Sequence, residues 1–310
     1  MTECIQNENV KLYTGDCRKV LKELPAKSVH CCITSPPYFG LRDYGIDAQI
    51  GREKTPNDYV HELVIVFREV KRVMRDDGTL WLNIGDSYSG QGGYGGGSTS
   101  KVSYTQKGNI QSRADTRGIK GIKTKELLGI PWRVAFALQK DGWYLRQDII
   151  WNKPSAMPES VTDRCTKSHE YIFLFSKKPK YYFDQFAIRE PAITAGNIRS
   201  DKKEAYRPLN GSPKNGYVQS AFRNKRSVWT IPSQPYDGAH FAAFPPALIT
   251  PMILAGSPID GVVLDPFGGS GTTGKVANNH KRKAIIIDIN PEYVELQKTR
   301  TSLRGIKDFI

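Results

Sequence analysis

The chain has 310 residues, of which 39% are hydrophobic and 25% are charged, a composition typical of a soluble globular protein with room for a full core. Its net charge of +14 favours a polyanionic partner, because each phosphate that a Lys or Arg contacts releases bound counterions. The five cysteines include no Cys-x-x-Cys pair and no apolar run is long enough to span a membrane, so we expect a cytoplasmic protein without a disulfide framework, a metal site or a membrane anchor.

Short apolar runs near the start of the chain predict strands, and one longer segment predicts a helix. Residues 29–34 are apolar and end at two prolines, which is typical of a buried strand. Apolar residues recur at helical spacing over residues 57–75, where Asn57 or Asp58 can cap the helix. A second strand is predicted at residues 79–84.

A glycine-rich segment occupies residues 85–122. Between Gly85 and Gly121 lie ten glycines, counting both ends, and five Lys or Arg. Because a segment of this length is rarely a passive connection, it predicts either a loop that closes over a ligand or simple disorder.

Regular patterns return after the glycine-rich segment. A helix is predicted at about residues 125–140, and strands are predicted at residues 143–151 and 170–176. The last of these strands is separated from the aromatic residues 181–183 by Lys-Lys-Pro-Lys, which predicts a hairpin between the two segments.

The next segment is strongly basic. Residues 177–230 hold twelve Lys or Arg against four acids, with eight aromatics between them and no sustained period. We interpret residues 179–238 as an inserted lobe, so that residues 1–178 and 239–310 form one domain.

The last part of the chain predicts alternating helices and strands of an α/β fold. The final helix starts at Pro291, which suits a first helical position, and Asn290 can cap it. The other predicted elements are a helix at residues 246–255, a strand at 261–265, a helix from 271 and a strand at 284–288.

The turn at residues 269–274 fits the pattern G-x-G-x-x-G, and it follows a predicted strand and opens a helix. Its glycines let the backbone approach a ligand, and Asp288 at the end of the next strand can accept hydrogen bonds from ribose hydroxyls. The turn therefore predicts a nucleoside site. A dinucleotide oxidoreductase fits the same pattern, but only 22 residues follow Asp288, so the remaining strands must lie upstream and the sheet is permuted. A tight turn without a ligand is the remaining alternative.

The segment from Ser35 to Tyr38 predicts a rigid pocket rich in hydrogen-bond acceptors. Pro36 and Pro37 lack backbone donors but keep their carbonyl groups. An exocyclic amine of a nucleobase could donate its two hydrogens to Ser35 and to the Pro36 carbonyl, while the Tyr38 ring stacks on a base turned out of the helix. The alternative is a capped turn after a strand.

Together these segments resemble the amino-group DNA methyltransferases, in the arrangement where the catalytic segment precedes the cofactor segment. The matching segments are 15–17, 34–38, 148–154, 240–245, 265–272 and 284–290. The resemblance implies a Rossmann-like α/β methyltransferase fold with a mixed seven-stranded sheet, a reversed hairpin, a circularly permuted motif order and an inserted recognition lobe.

The resemblance also implies site residues and S-adenosyl-L-methionine as the cofactor. The implied catalytic residues are Ser35, Pro36, Pro37 and Tyr38. The implied cofactor-binding residues are Asp16, Cys17, Thr34, His240, Phe241, Asp265, Pro266, Phe267, Gly268, Gly269, Ser270, Gly271, Thr272, Asp288, Ile289 and Asn290.

The implied partner is double-stranded DNA, bound by the basic lobe, and the resemblance allows for a cognate restriction endonuclease and for a monomer or a homodimer. Basic side chains bind phosphates and aromatic rings stack on bases, although a solvated charged lobe has the same composition. The candidate DNA-binding residues are Lys202, Lys203, Arg223, Lys225 and Arg226.

The identity of the methylated base is inferred from Ser35. Family members with Ser at this position tend to modify the cytosine 4-amino group, and members with Asp tend to modify the adenine 6-amino group. We therefore expect a site-specific cytosine-N4 DNA methyltransferase that flips its target base, with an adenine-N6 enzyme as the alternative. Methylation of ring carbon 5 is disfavoured because no cysteine follows a proline. An RNA methyltransferase and a non-catalytic DNA-binding protein are more remote alternatives.

Overall fold

One mixed β-sheet organises the part of the chain that the structure describes. This computed structural model describes residues 3–6, 9–41, 46, 48–89, 122–156, 158–192, 198–199, 217–218, 221–233 and 244–301. The strands in chain order are β1 (Glu3–Gln6), β2 (Val10–Thr14), β3 (Val29–Thr34), β4 (Met74–Ile84), β5 (Tyr144–Asn152), β6 (His169–Ser176), β7 (Glu190–Pro191), β8 (Ile198–Arg199), β9 (Tyr217–Val218), β10 (Phe222–Arg223), β11 (Val228–Thr230), β12 (Val262–Asp265) and β13 (Lys283–Asp288). The helices are α1 (Cys17–Glu23), α2 (Pro56–Val73), α3 (Ile130–Lys140), α4 (Pro246–Gly256), α5 (Thr272–Asn279) and α6 (Pro291–Thr301).

The main sheet has nine strands in the order β1-β2-β13-β12-β3-β4-β6-β5-β11. Strands β2, β13, β12, β3 and β4 are parallel, whereas β6 lies antiparallel between β4 and β5. Seven neighbouring strands, in the order β2-β13-β12-β3-β4-β6-β5, confirm the predicted mixed seven-stranded sheet with a reversed hairpin. The described sheet is two strands wider than predicted, because β1 pairs with β2 and β11 pairs with β5 at its edges. The central strands β12 and β13 come last in the chain, as the permuted order predicts.

Helices cover the sheet on both sides, with a separate apolar core on each face. Helices α1, α2 and α3 contribute to one core, and α4, α5 and α6 contribute to the other. Strand β4 shows the division, since Leu80 and Leu82 pack in the first core and Trp81 packs in the second. A strand buried on both faces reads as a continuous apolar run, which explains why the central strands were visible in the sequence.

The starts of α2 and α3 differ from the predicted ones for local reasons of capping and backbone conformation. In α2 the Thr55 hydroxyl accepts a hydrogen bond from the Asp58 backbone N–H at 3.1 Å, so the cap is Thr55 and not the predicted Asn57 or Asp58. Helix α3 begins at Ile130, five residues later than predicted. Lys125 and Gly129 have positive φ values of 68° and 66°, which a right-handed helix cannot contain.

The predicted hairpin between residues 170–176 and 181–183 is wrong. Strand β6 already pairs with β4 on one side and β5 on the other, so it has no free edge. The Tyr182 backbone N–H instead donates to the Asp77 carbonyl at 2.9 Å, and the Phe183 ring stacks on Trp81 with centroids 6.1 Å apart.

Both described ends of the predicted insert 179–238 pack on the main sheet and its helices. At its start, the Asp184 N–H donates to the Ala255 carbonyl in α4 at 2.9 Å. At its end, β11 is part of the main sheet, and Trp229 packs against Trp81 with centroids 6.4 Å apart. The described residues between them form two short antiparallel pairs, β7 with β10 and β8 with β9.

Residues 90–121 of the glycine-rich segment lie outside the described ranges, and the described residues on either side of them are hydrogen-bonded to each other. The Ser89 N–H donates to the Glu126 carbonyl at 2.8 Å, and the Lys125 N–H donates to the Ser89 carbonyl at 2.8 Å. Across the described residues, no helix combines the length and the apolar content that a membrane span needs.

Candidate active site

The two segments singled out in the sequence open onto one cavity of about 320 Å³. It lies at the carboxyl ends of the neighbouring parallel strands β3 and β12, where ligands bind in open α/β sheets. Residues 35–38 line one part of it and residues 266–270 line another. Strand pairing therefore brings together two segments that are more than 200 residues apart in sequence.

A buried carboxylate joins the two segments directly. Asp265 accepts hydrogen bonds from the Thr34 hydroxyl at 2.7 Å, from the Thr273 hydroxyl at 2.7 Å and from the Phe267 N–H at 3.1 Å. Burial raises the pKa of Asp265 to about 6, although these hydrogen bonds oppose the shift. Asp265 and Thr34 lie behind the cavity wall, where they hold β3, the turn and α5 in register.

Asp288 faces the cavity at the end of β13. Its carboxylate accepts the Gly269 N–H at 2.7 Å and the Asn290 N–H at 2.8 Å, one on each oxygen. Burial, with a smaller contribution from the charge of Asp265, raises its pKa to about 7. Because a carboxylate has about four lone-pair sites, Asp288 can still accept a hydrogen bond from a ligand.

Helix α6 supports the glycine turn from behind. The Gln297 side-chain amide donates to the Gly269 carbonyl at 2.8 Å, and Arg300 donates to the Ser270 carbonyl at 2.7 Å. Gly271 has a φ of 75°, and a Cβ atom there would lie 2.9 Å from Gln297 Cγ. A side chain at this position would therefore be strained and would collide with α6.

The start of α1 forms a further part of the cavity wall. Asp16 caps α1 by accepting the Arg18 N–H at 2.9 Å, and it also pairs with the Arg18 guanidinium at 2.8 Å. Arg18 reaches Glu62 at 2.6 Å as well, which ties α1 to α2. Burial raises the pKa of the Cys17 thiol far above its usual range, so Cys17 stays a neutral thiol.

The Ser35–Tyr38 segment carries backbone carbonyl and hydroxyl acceptors at the cavity wall. The Pro37 carbonyl accepts the Tyr59 hydroxyl at 2.8 Å, whereas no donor among the described residues reaches the Pro36 carbonyl. Ser35 donates to the Tyr38 oxygen at 3.4 Å. The Pro36 carbonyl and Ser35 Oγ are thus both able to accept hydrogens from a ligand.

Polar side chains form a wall of the cavity beside Tyr38. The Tyr38 hydroxyl donates to Glu170 Oε2 at 2.6 Å, and Asn83 donates to the same oxygen at 3.1 Å. Glu170 Oε1 pairs with Lys153, whose ammonium lies 4.1 Å from the centre of the Trp151 ring. All five side chains line the cavity. Trp151 and Lys153 lie in the segment 148–154 that matched the family pattern, but nothing in the sequence marked Asn83 or Glu170.

Most of the predicted cofactor residues line this cavity, and some do not. Thr34, Asp265 and Gly271 lie behind it, and His240 and Phe241 are outside the described residues, although Phe244 from the same segment lines the cavity. The predicted cofactor residues that line it are Asp16, Cys17, Pro266, Phe267, Gly268, Gly269, Ser270, Thr272, Asp288, Ile289 and Asn290.

The candidate DNA-binding arginines share one acid. Arg223 and Arg226 both pair with Glu190 Oε1, at 2.9 Å and 2.5 Å, so the group keeps a net positive charge. The Lys225 ammonium lies 5.0 Å from the centre of the Trp229 ring. The other two candidates, at positions 202 and 203, lie outside the described residues, and the described His, Cys, Asp and Glu side chains form no group suited to a metal ion.

The lining of the cavity fits a nucleoside ligand. Asp288 offers acceptors for ribose hydroxyls, and Phe267 and Ile289 offer apolar surface beside it. Because Gly271 has no side chain, the turn can lie close against α6, and Gly269 and Ser270 of the same turn line the cavity.

Comparisons with known proteins agree with this geometry. The family model described as DNA methylase, of the N6/N4 type, matches residues 29–299. The chain is 47% identical to the type II methyltransferase M.Cfr9I of Citrobacter freundii, over 96% of this chain and 90% of that protein. It is 48% identical to the type II methyltransferase M.SmaI of Serratia marcescens, over 96% and 93% of the two chains.

Solved structures share the fold. The cytosine-N4-specific PvuII DNA methyltransferase superposes with a TM-score of 0.66 at 20% identity, over 97% of this chain and 89% of that one. M1.HpyAVI, solved as a complex with S-adenosyl-L-methionine, gives a TM-score of 0.54 at 19% identity, over 95% and 100% of the two chains. The fold, the cavity and the family match lead to one conclusion: this chain belongs to the N6/N4 family of DNA methylases and is a DNA methyltransferase.

Proposed function

We propose that this DNA methyltransferase transfers a methyl group to the exocyclic 4-amino group of cytosine in a specific sequence of double-stranded DNA. The observation that carries the proposal is the pair of open acceptors, Ser35 Oγ and the Pro36 carbonyl, in the same cavity as Asp288 and the glycine turn. An exocyclic amine has two hydrogens to donate, and these two acceptors match them. Adenine-N6 methylation is the alternative, because the adenine 6-amino group offers the same two donors.

The cofactor is S-adenosyl-L-methionine, and when bound it supplies an electrophilic methyl group carried on a sulfonium. Asp288 would accept its ribose hydroxyls, and residues 266–270 would enclose it next to Ser35. No cysteine nucleophile is needed for an amine, in keeping with the raised pKa values of the buried thiols Cys17 and Cys31. The match to the N6/N4 family also counts against the dinucleotide oxidoreductase that the glycine turn alone would allow.

The chain's own residues prepare the amine for attack. When Ser35 and the Pro36 carbonyl accept both amine hydrogens, the nitrogen lone pair is withdrawn from conjugation with the ring and becomes available to a methyl group. A base can reach this position only after it has left the DNA stack, so the proposal includes base flipping. The Tyr38 ring at the cavity wall would hold the flipped base.

The names of the relatives suggest the biological setting of this protein. M.Cfr9I and M.SmaI are named as type II methyltransferases. We infer that this protein acts in the cytoplasm, where the DNA lies, as part of a restriction-modification system with a cognate endonuclease that the modified DNA resists.

The test is the chemical identity of the product. The protein would be incubated with duplex plasmid DNA and methyl-labelled S-adenosyl-L-methionine, and the DNA would be digested to nucleosides for mass spectrometry. We expect labelled N4-methyldeoxycytidine, and a Ser35→Ala variant serves as the control for contaminating activity. Labelled N6-methyldeoxyadenosine would establish the alternative, and label in an RNA competitor only would overturn a DNA substrate.

A further inference from the structure

A chain of polar side chains leads from Ser35 away from the site of the target amine. Ser35 Oγ lies 3.4 Å from Tyr38 Oη, which lies 2.6 Å from Glu170 Oε2. Glu170 forms an ion pair with Lys153, and the carboxylate in such a pair can only accept hydrogen bonds. The phenol must therefore donate to Glu170, and this leaves its oxygen free to accept from Ser35. All hydrogens in the chain thus point from Ser35 towards Glu170.

We propose that Glu170, acting through Tyr38, makes Ser35 a strong acceptor for the target amine and finally takes up the proton that the amine loses. The inference rests on the proposed amine methylation, but it holds for cytosine and for adenine alike. Glu170 touches neither the base nor the cofactor in this proposal, so it is a positioning residue and a proton acceptor at the far end of the chain.

The first part of the proposal follows from polarisation. A neutral hydroxyl is a modest acceptor, but hydrogen bonds in series strengthen one another in a poorly solvated site. A carboxylate at the end of the series draws the Tyr38 hydrogen towards itself, and the Tyr38 oxygen then draws the Ser35 hydrogen. Electron density on Ser35 Oγ rises as a result. The 3.4 Å step between Ser35 and Tyr38 is longer than an ideal O–H···O bond, and we expect it to shorten when an amine donates to Ser35.

The second part follows from the proton balance of the reaction. As the amine nitrogen bonds to the methyl carbon, the carbon–sulfur bond breaks and its electron pair stays on sulfur. The nitrogen then has one proton too many. That proton passes to Ser35 Oγ, the Ser35 hydrogen passes to Tyr38 Oη, and the Tyr38 hydrogen passes to Glu170 Oε2. Both hydroxyls end unchanged, and Glu170 ends neutral and can later lose its proton to water.

The surroundings of Glu170 suit this role. Its side chain is 16% exposed and that of Lys153 is 21% exposed, so water can reach the pair at the end of the chain. Lys167 and His169 also interact electrostatically with Glu170, and burial lowers the pKa of both. Burial and the charge of Glu170 raise the pKa of Tyr38 well above its usual range, so the phenol passes protons on without ionising.

Gly85, directly after β4, and Asn83 within that strand hold Tyr38 and Glu170 in this arrangement. A Cβ atom on Gly85 would lie 2.5 Å from Tyr38 Cε2, so the ring packs directly on the glycine. Asn83 adds a second hydrogen bond to Glu170 Oε2 and another to the Tyr171 carbonyl at 3.2 Å. The phenol and the carboxylate are therefore held together before any substrate binds.

The experiment measures single-turnover methylation of a duplex with saturating S-adenosyl-L-methionine, which reports the chemical step apart from binding. Glu170→Gln keeps the size of the side chain and removes its charge, and Tyr38→Phe removes one hydroxyl and leaves the Glu170–Lys153 pair intact. We expect each variant to lose about tenfold or more in rate, with DNA and cofactor affinities within about twofold of the parent. Glu170→Asp should restore part of the rate, and a solvent deuterium isotope effect should be smaller in both slow variants than in the parent.

A double-variant cycle makes the test decisive. Because the two residues act in one chain, the Glu170→Gln and Tyr38→Phe double variant should be no slower than the slower single variant. Matched controls are Glu69→Gln, whose acid pairs with Arg72 on α2, and Tyr182→Phe, at the opposite end of the sheet near His30.

Several outcomes would overturn the proposal. A single-turnover rate of Tyr38→Phe within twofold of the parent rate would overturn it, even if Glu170→Gln failed to fold. Multiplicative losses in the double variant, or lost DNA affinity at an unchanged single-turnover rate, would show a structural role only. If instead the parent protein methylated no amine at all, the proposed function would fail, and that result is distinct from any of these.

Discussion

The hydroxyl of Thr34 donates a hydrogen bond to the carboxylate of Asp265, a residue 231 positions later in the chain. This contact joins the end of β3 to the end of β12, and both side chains are almost fully buried. A contact within the fold therefore helps to set the position of the Ser35–Tyr38 segment relative to the glycine turn.

Thr34→Val should remove this contact and leave a buried acceptor with one donor fewer. We expect a loss of about 1–3 kcal/mol in the free energy of unfolding, together with weaker cofactor binding. Thr79→Val is the matched control, because Thr79 is another buried threonine of the sheet and bonds Trp81 at 3.2 Å, outside the cavity. Denaturant unfolding and calorimetric cofactor titration would check both. Equal effects of the two variants on cofactor affinity would contradict the link.

Ser35→Ala should slow methyl transfer far more than it weakens DNA binding, since the hydroxyl is needed only when the amine reacts. We expect the single-turnover rate to fall roughly a hundredfold. Ser28→Ala, which removes an exposed hydroxyl bonded to the Pro25 carbonyl, is the control. A loss of DNA affinity as large as the loss of rate would argue against a catalytic serine.

Cofactor binding should release protons near neutral pH. The pKa of Asp288 is about 7 in the free protein because of burial, so the carboxyl is about half protonated at pH 7. Ribose hydroxyls donate best to the ionised form, so binding should lower this pKa, and affinity should fall as the pH drops below 7. Calorimetry in buffers of different ionisation enthalpy should detect up to about half a proton released at pH 7.

Asp288→Ala tests whether Asp288 is the group that binds the cofactor and releases the proton. The variant should bind the cofactor about ten- to a hundredfold more weakly, and the proton release should disappear. Unchanged affinity in this variant would remove Asp288 from the ribose site.

Gln297→Leu should loosen the glycine turn without unfolding the protein. The variant loses the hydrogen bond to the Gly269 carbonyl, but it also removes the buried Gln297 Oε1, which has no partner among the described residues. These effects oppose each other, so we expect a change of less than about 1 kcal/mol in the free energy of unfolding. Cofactor affinity should nevertheless fall several-fold, and a parallel fall in thermal stability would point to a general packing defect instead.

Arg226 tests the DNA-binding interpretation of the basic segment. Its side chain is 65% exposed, although Glu190 pairs with it. If it contacts a phosphate, Arg226→Ala should lower the slope of log K against log salt by about 1. Arg75→Ala is the control, since Arg75 is 45% exposed, pairs with Asp77 and lies near His30, away from the cavity. Equal slopes for the parent and the Arg226 variant would exclude that contact.

Patterns in the sequence predicted β3, β4, β5, β6, β12 and β13, and burial on both faces leaves long apolar runs in the central ones. The strands β1 and β2 and the short strands β7 to β11 were not predicted. The same patterns also predicted the cavity, since parallel strands that end in Ser35 and in the glycine turn must open on one edge of the sheet. The wall formed by Asn83 and Glu170 depends on register instead: pairing of β5 with β6 sets Trp151 opposite Glu170. A polar residue inside an apolar strand carries no sign of which cavity it will face, so this part of the site needed the structure.

The strand Val228–Thr230 has a practical consequence for building chimeras. It is parallel to Ile150–Asn152 at the sheet edge, and Ser233, three residues beyond it, already lines the cavity. A graft that exchanges the basic segment for that of a relative should therefore join on the amino-terminal side of Val228, so that this edge strand stays with its host. Chimeras joined at that position would keep the cavity of the host protein, and only the exchanged basic segment would differ between them.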